Sequence, residues 1–166
     1  AVFGDLEGDV DETTPPAPTR YNGKVVLAAE QEISTRGLTT VVRFTGIYGP
    51  GRNRLLTKVA RMARGEEPLP EAKWSNRIHR DDCVGLLANL VGRWLAGETV
   101  PPLVVGTDNN PASNLDVYQW LAQQQGLTLS VPDAAPTGKR VHSRFIADGG
   151  YSLRYPGFRA GYATLL

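Results

Sequence analysis

Between residues 39 and 52 the chain passes from a β-branched run directly into a turn built of glycine and proline, and this junction limits the fold more than any other stretch. Thr39-Thr40-Val41-Val42-Arg43-Phe44 predicts a buried strand, and Thr45-Gly46-Ile47-Tyr48-Gly49-Pro50-Gly51-Arg52 predicts a tight loop at its carboxyl end. Helical patterns flank it on both sides. The succession helix, strand, helix, strand, helix, strand, helix that results predicts α/β packing around a parallel sheet. In such sheets ligands bind in the crevice outside the carboxyl ends of the strands, where Gly46, Gly49 and Gly51 would let backbone approach a ligand closely.

The remaining elements follow from periodicity and punctuation. Val25, Ala29 and Ile33, with Val26 beside them, predict one face of a helix over about Arg20–Arg36, stopped by Gly37. Asn53 is the expected cap of a helix reaching about Arg64, with Leu55, Leu56, Val59, Ala60 and Ala63 inward. Asn76–His79 predicts a short strand, and Asp81 or Asp82 is the expected cap of the next helix. Val84, Leu87, Ala88, Val91 and Leu95 form a single stripe on that helix, expected to be its buried face. Leu103–Val105 predicts a strand, and Ser113 or Asn114 the cap of a helix ending near Gln125 before Gly126. Ser143–Asp148 is expected as a short helix, Tyr151–Tyr155 as a short strand and Gly157–Leu166 as a last helix. The acidic, then Pro- and Thr-rich residues 5–19 are expected as a long surface loop, and Ala1-Val2-Phe3-Gly4 as the end of a strand.

Composition removes several functional classes. With 18 basic and 17 acidic residues the net charge is +1, which gives no electrostatic case for nucleic acid or an anionic membrane. Five acidic groups among the first thirteen residues argue against a targeting segment, and no apolar run is long enough to span a bilayer. The single cysteine, Cys83, excludes an intrachain disulfide and is expected as a small core residue. His79 and His142 lack metal-ligand spacing. These features predict a cytoplasmic protein with no nucleic-acid or membrane partner, and a sheet edge left unpaired would make a homodimer possible.

Taken together, Val2-Phe3-Gly4-Asp5, Glu12-Thr13-Thr14-Pro15, Ala28-Ala29-Glu30-Gln31, Arg43 to Gly51 and Ile78-His79-Arg80-Asp81-Asp82 resemble the extended short-chain dehydrogenase/reductase superfamily, and more narrowly its NAD-dependent epimerase/dehydratase family. The resemblance runs in the same order over nearly the whole chain. It implies an α/β fold: the C-terminal part of a Rossmann-like doubly wound parallel sheet plus a small α+β substrate lobe. Residues 1–65 would complete the dinucleotide-binding domain, and residues 66–166 would be mixed and include the substrate lobe. No G-x-G-x-x-G lies between a strand and a helix here. The chain is therefore expected to be a portion of a longer protein, with NAD or NADP bound mainly by the missing N-terminal half.

For the site, the resemblance implies a Tyr that transfers a proton and a Lys four residues later that lowers its pKa. Matching Leu27-Ala28-Ala29-Glu30 to the family's helix puts Asn22 and Val26 at those two positions. Tyr21 and Lys24, three apart and roughly on one helical face, are the candidate replacements. Thr45, Gly46, Ile47 and Tyr48 are the candidate cofactor-lining residues, and Arg52 and Arg77 the candidate substrate contacts. Ser75 stands where nucleotide-sugar members often carry an anion-gripping Arg. The expected activity of the complete protein is NAD(P)-dependent oxidoreduction or epimerisation of a small hydroxyl, carbonyl or sugar-like substrate. The alternative is a catalytically degenerate NAD(P)-binding sensor or scaffold.

Overall fold

A computed structural model describes residues 1–52 and 54–166. In chain order the elements are β1 (Gly8–Val10), α1 (Tyr21–Ser34), β2 (Val41–Phe44), β3 (Gly46–Tyr48), α2 (Arg54–Ala63), β4 (Trp74–Ser75) and β5 (Arg77–His79). They continue with α3 (Arg80–Leu95), β6 (Leu103–Gly106), β7 (Ala112–Ser113), α4 (Asn114–Gln124), β8 (Lys139–Val141), α5 (Arg144–Ala147) and α6 (Phe158–Tyr162). Three pairings, β1 with β8, β2 with β6 and β3 with β5, are parallel, and β4 with β7 is antiparallel. The α/β class expected from the alternation of patterns is what the chain adopts.

The cores follow the sheet. Val59 and Met62 of α2 meet Val117, Leu121 and Ala122 of α4, with Tyr48, Phe158 and Tyr162 closing the cluster. Leu86 and Leu90 of α3 lie on Val104, with Val42, Phe44 and Phe145 packed against them. Val2, Phe3, Val10, Val105 and Val141 form a third cluster. Gly161 permits the close packing of α6, since a Cβ there would fall 2.0 Å from the Tyr48 hydroxyl.

Several expectations are corrected. The stripe Val84, Leu87, Val91 and Leu95 is exposed, because α3 carries two apolar stripes and its own sheet takes the one through Cys83, Leu86 and Leu90. Val25, Val26 and Ile33 of α1 are exposed as well. An apolar groove of about 530 Å3 runs beside this surface, lined by Leu38, Val42, Leu87, Val91, Trp94 and Val100 among others. β2 has no strand on its other side among the described residues. The cap of α3 is His79, whose Nδ1 accepts from the Asp81 amide at 3.2 Å, and not an aspartate. The stretch after Phe44 is a short strand and not only a loop, because Gly46–Tyr48 pairs with Arg77–His79. Ala1–Gly4 is a turn that buries Val2 and Phe3, and no strand forms at 151–155. The last helix is confined to Phe158–Tyr162. The Asn53 cap lies outside the described residues.

The segment 5–19 also departs from the expected loop. Three of its acidic groups reach the segment 138–144, among them Asp9, which contacts Arg140 at 2.8 Å and His142 at 3.0 Å, and Glu7, which accepts from the Gly138 amide at 2.6 Å. Glu12 accepts from the Val105 amide at 2.9 Å, the Ser143 hydroxyl at 3.2 Å and the Arg144 amide at 2.9 Å. It thereby satisfies a β6 donor that faces away from β2 and joins it to the start of α5.

Candidate functional site

The site is built where β2 and β6 end side by side. Their register pairs Val41 with Leu103 and Phe44 with Gly106, so both carboxyl ends lie at one edge. Thr45 turns the chain there, its amide donating to the Gly106 carbonyl at 3.0 Å and its hydroxyl to the same oxygen at 3.3 Å. The Gly46 amide then donates to the Asn76 carbonyl at 3.0 Å. A Cβ on Gly46 would sit 3.0 Å from that same carbonyl, which favours glycine at this crossing. Asn76 also uses its side chain, donating to the Lys139 carbonyl at 3.0 Å and accepting from the Val141 amide at 2.7 Å. One side chain thus ties β8 to the turn before β5.

A pocket of about 220 Å3 opens at this junction, lined by Val2, Phe3, Arg43, Thr45, Gly46 and Lys139, among others. Arg43 forms a two-oxygen ion pair with Glu30 of α1, at 2.7 Å for the shorter contact, with side chains only 11% and 15% exposed. Its guanidinium lies 5.3 Å over the Phe3 ring. Lys139 donates to the Gly4 carbonyl.

The candidate residues are distributed unevenly around this pocket. Thr45 and Gly46 line it. Ile47 is paired with Ile78 within β3 and β5, and the Tyr48 side chain is buried, stacked on Tyr162 at 4.4 Å. Burial raises the Tyr48 hydroxyl above its ordinary pKa. Tyr21 is the first residue of α1 and 83% exposed, and Lys24 is exposed on the same helix; neither lines the pocket. Arg52 is exposed and donates to the Ile47 carbonyl of its own loop at 3.1 Å. Arg77 is buried at 8% exposure and faces the protein interior, its carbonyl accepting from the Asp108 amide at 2.8 Å and the Thr107 hydroxyl at 3.3 Å.

Three polar residues take roles in the structure that the sequence did not assign them. Asp82 is fully buried and accepts from the Tyr151 hydroxyl at 3.2 Å and from the Arg154 and Tyr155 amides at 2.7 and 2.9 Å. The doubled acid Asp81-Asp82 was the available signal: only one could cap, and neither does. His79 is buried between Tyr48 and Tyr155, with ring centroids 5.3 and 3.9 Å away. Burial lowers its pKa, so it is a neutral imidazole near pH 7, with Nδ1 as acceptor. Burial likewise pushes the Cys83 thiol up to about 11, which makes it an unreactive core group.

Asp108 is the third. It is 4% exposed and accepts from the Asn110 amide at 3.0 Å. Burial raises its pKa from 3.8 to about 6, against the opposing Asn110 hydrogen bond and the Arg77 charge. A raised folded-state pKa means the folded chain holds this proton more tightly. The resulting stabilisation is complete below pH 3.8 and fades as pH climbs through about 6. Asp108→Asn keeps an acceptor for Asn110 without titrating. Urea unfolding at pH 4 and pH 8 is expected to show the parent losing up to about 3 kcal/mol more than the variant over that interval.

Parallel strands with flanking helices and a pocket at their carboxyl ends make an α/β fold that matches the Rossmann-like fold of NAD-dependent epimerase/dehydratase structures. Among solved structures, the chain is 35% identical to a Methylobacillus flagellatus protein assigned to the NAD-dependent epimerase/dehydratases. The TM-score is 0.85, over 99% of this chain and 59% of that one. Among curated proteins it is 30% identical over 162 residues to Protein YeeZ of Escherichia coli (strain K12), covering 94% of this chain and 56% of that protein. The UDP-glucose 4-epimerase of Thermus thermophilus, solved in complex with NAD, shares the fold at TM-score 0.73 and 19% identity, over 97% of this chain and 58% of that one. No family model matches the chain. The chain spans little more than half the length of the relatives it matches. Among the described residues no helix is long and apolar enough to cross a membrane.

Proposed function

We propose that the chain is the C-terminal portion of an NAD(P)-dependent oxidoreductase or epimerase acting on a small hydroxyl, carbonyl or sugar-like substrate. The observation that carries this reading is the pocket walled by Thr45 and Gly46 at the joined carboxyl ends of β2 and β6, the place where an open parallel sheet receives its ligand. When bound, a nicotinamide would supply the hydride chemistry. The turn Thr45-Gly46 suits the wall of such a site, because both residues line the pocket and the glycine brings no side chain into it. The dinucleotide's pyrophosphate would be held by residues outside this chain, since the chain offers no glycine fingerprint to cradle it.

Tyr21 is the proposed proton donor and Lys24 its electrostatic partner. Both are exposed on the first turn of α1, so a substrate bound across that turn could meet them. In a protein spanning the full length of its relatives, Tyr21→Phe is expected to abolish turnover of NAD(P)H with carbonyl compounds. Full activity in that variant removes Tyr21 from the mechanism.

The second reading is an NAD(P)-binding sensor or scaffold. It is favoured by the three-residue spacing of Tyr21 and Lys24 and by the position of Tyr21 at the very start of the helix. Dinucleotide binding without turnover against sugars and carbonyl compounds is its expected signature.

A further inference from the structure

The lining of the pocket at the β2–β6 edge is cationic. Arg43 and Lys139 both contribute to it, and among the described residues no carboxylate does. Arg43 is already paired with Glu30, yet one of its terminal nitrogens, Nη1, is buried without a hydrogen-bond partner. Lys139 comes from β8 and, among the described residues, its ammonium donates to the Gly4 carbonyl alone, so two of its three donor directions are free of protein partners. The two cations come from different elements, β2 and β8. Arg43 is held by Glu30, and β8 by the Asn76 side chain at the pocket wall. Their arrangement therefore does not depend on a ligand to order it.

The geometry points to an anion subsite here: Arg43 and Lys139 together hold a carboxylate or phosphate group carried by a small substrate. The inference deepens the proposed function, since it names the chemical class of the molecule that would sit against Thr45 and Gly46. It moves substrate recognition away from Arg52, which is turned back onto its own loop, and from Arg77, which is buried toward Asp108. A pocket of about 220 Å3 lies below the usual range for drug-sized ligands and matches a compact acid. Arg supplies directional donors to such a group and Lys a point charge, a pairing suited to either oxyanion.

The test is an NMR titration of the protein spanning the full length of its relatives. Sodium acetate and inorganic phosphate are the two probes, at constant ionic strength. Saturable shifts of the Thr45 and Gly46 amides are expected with at least one of them, and the tighter probe identifies the group as carboxylate or phosphate. Lys139→Met is expected to weaken that binding by about tenfold or more, and Lys139→Arg to restore most of it. Should the Met variant not fold, Lys139→Gln carries the same comparison. No saturable shift at Thr45 and Gly46 with either probe up to roughly 50 mM overturns the inference, as does equal affinity in the Met or Gln variant. The outcome is independent of nicotinamide chemistry. Anion binding at Lys139 in a protein that never turns over NAD(P)H leaves this inference standing and sinks the proposed activity, and the converse result does the opposite.

Discussion

Asp82→Ala is expected to lower stability by about 3 kcal/mol, because one buried carboxylate holds the whole approach to the last helix. Its two oxygens accept from the Tyr151 hydroxyl and from consecutive amides at Arg154 and Tyr155. Removing it strands those donors in a half-buried setting, where each lost bond costs more than the bond contributed. Tyr155 lies against His79 at 3.9 Å, so loosening residues 151–155 also uncovers the cap of α3. Asp82→Asn keeps an acceptor and is expected to cost about half as much. Thermal unfolding should show a drop of about 6–12 °C for the alanine variant. A drop of under about 2 °C would mean that the segment is held by other contacts.

Glu30→Ala is the second large effect, expected at about 3 kcal/mol. Breaking a buried ion pair leaves the surviving charge uncompensated, a larger loss than any exposed pair produces. Glu30 and Arg43 are both shielded, whereas the Arg36–Glu32 pair at the end of the same helix is 73% and 64% exposed and is worth a few tenths of that. The contrast is the check. Urea unfolding should register Glu30→Ala strongly and Glu32→Ala barely, and added salt should leave the first effect nearly intact. Because Arg43 lies over Phe3 and lines the pocket, the alanine variant is also expected to perturb the Thr45 and Gly46 amides.

The sequence exposed the elements better than their partners. The strand at 41–44, the helices at 21–34, 54–63 and 114–124, and the Ser113 cap follow from local pattern, because propensity and capping act within a few residues. The α3 stripe failed for a different reason. Periodicity reports that a face is apolar and is silent on whether the surface that would cover it is present, and the Val84–Leu95 face lies open. The acidic segment 5–19 read as a loop because its ordering comes from residues 137–144, more than 120 positions away, through Asp9, Glu12 and the parallel β1–β8 pair. Asp82 was hidden in the same way, since its partners lie about 70 residues on. For the site, the turn Thr45-Gly46 was legible from its place after a strand. Lys139 was not, because nothing around Gly138-Lys139-Arg140 sets it apart from a surface cation until Asn76 draws that strand to the pocket.

Hydrogen exchange on the full-length protein, with and without NAD(H) and NADP(H), tests most directly whether the carboxyl ends of β2 and β6 form one wall of a nicotinamide site. One of the two dinucleotides is expected to bind and to slow exchange at Thr45 and Gly46, leaving the exposed Val84–Leu95 face of α3 unchanged. Binding that protects other segments while Thr45 and Gly46 exchange as before, or no binding of either dinucleotide, would contradict it.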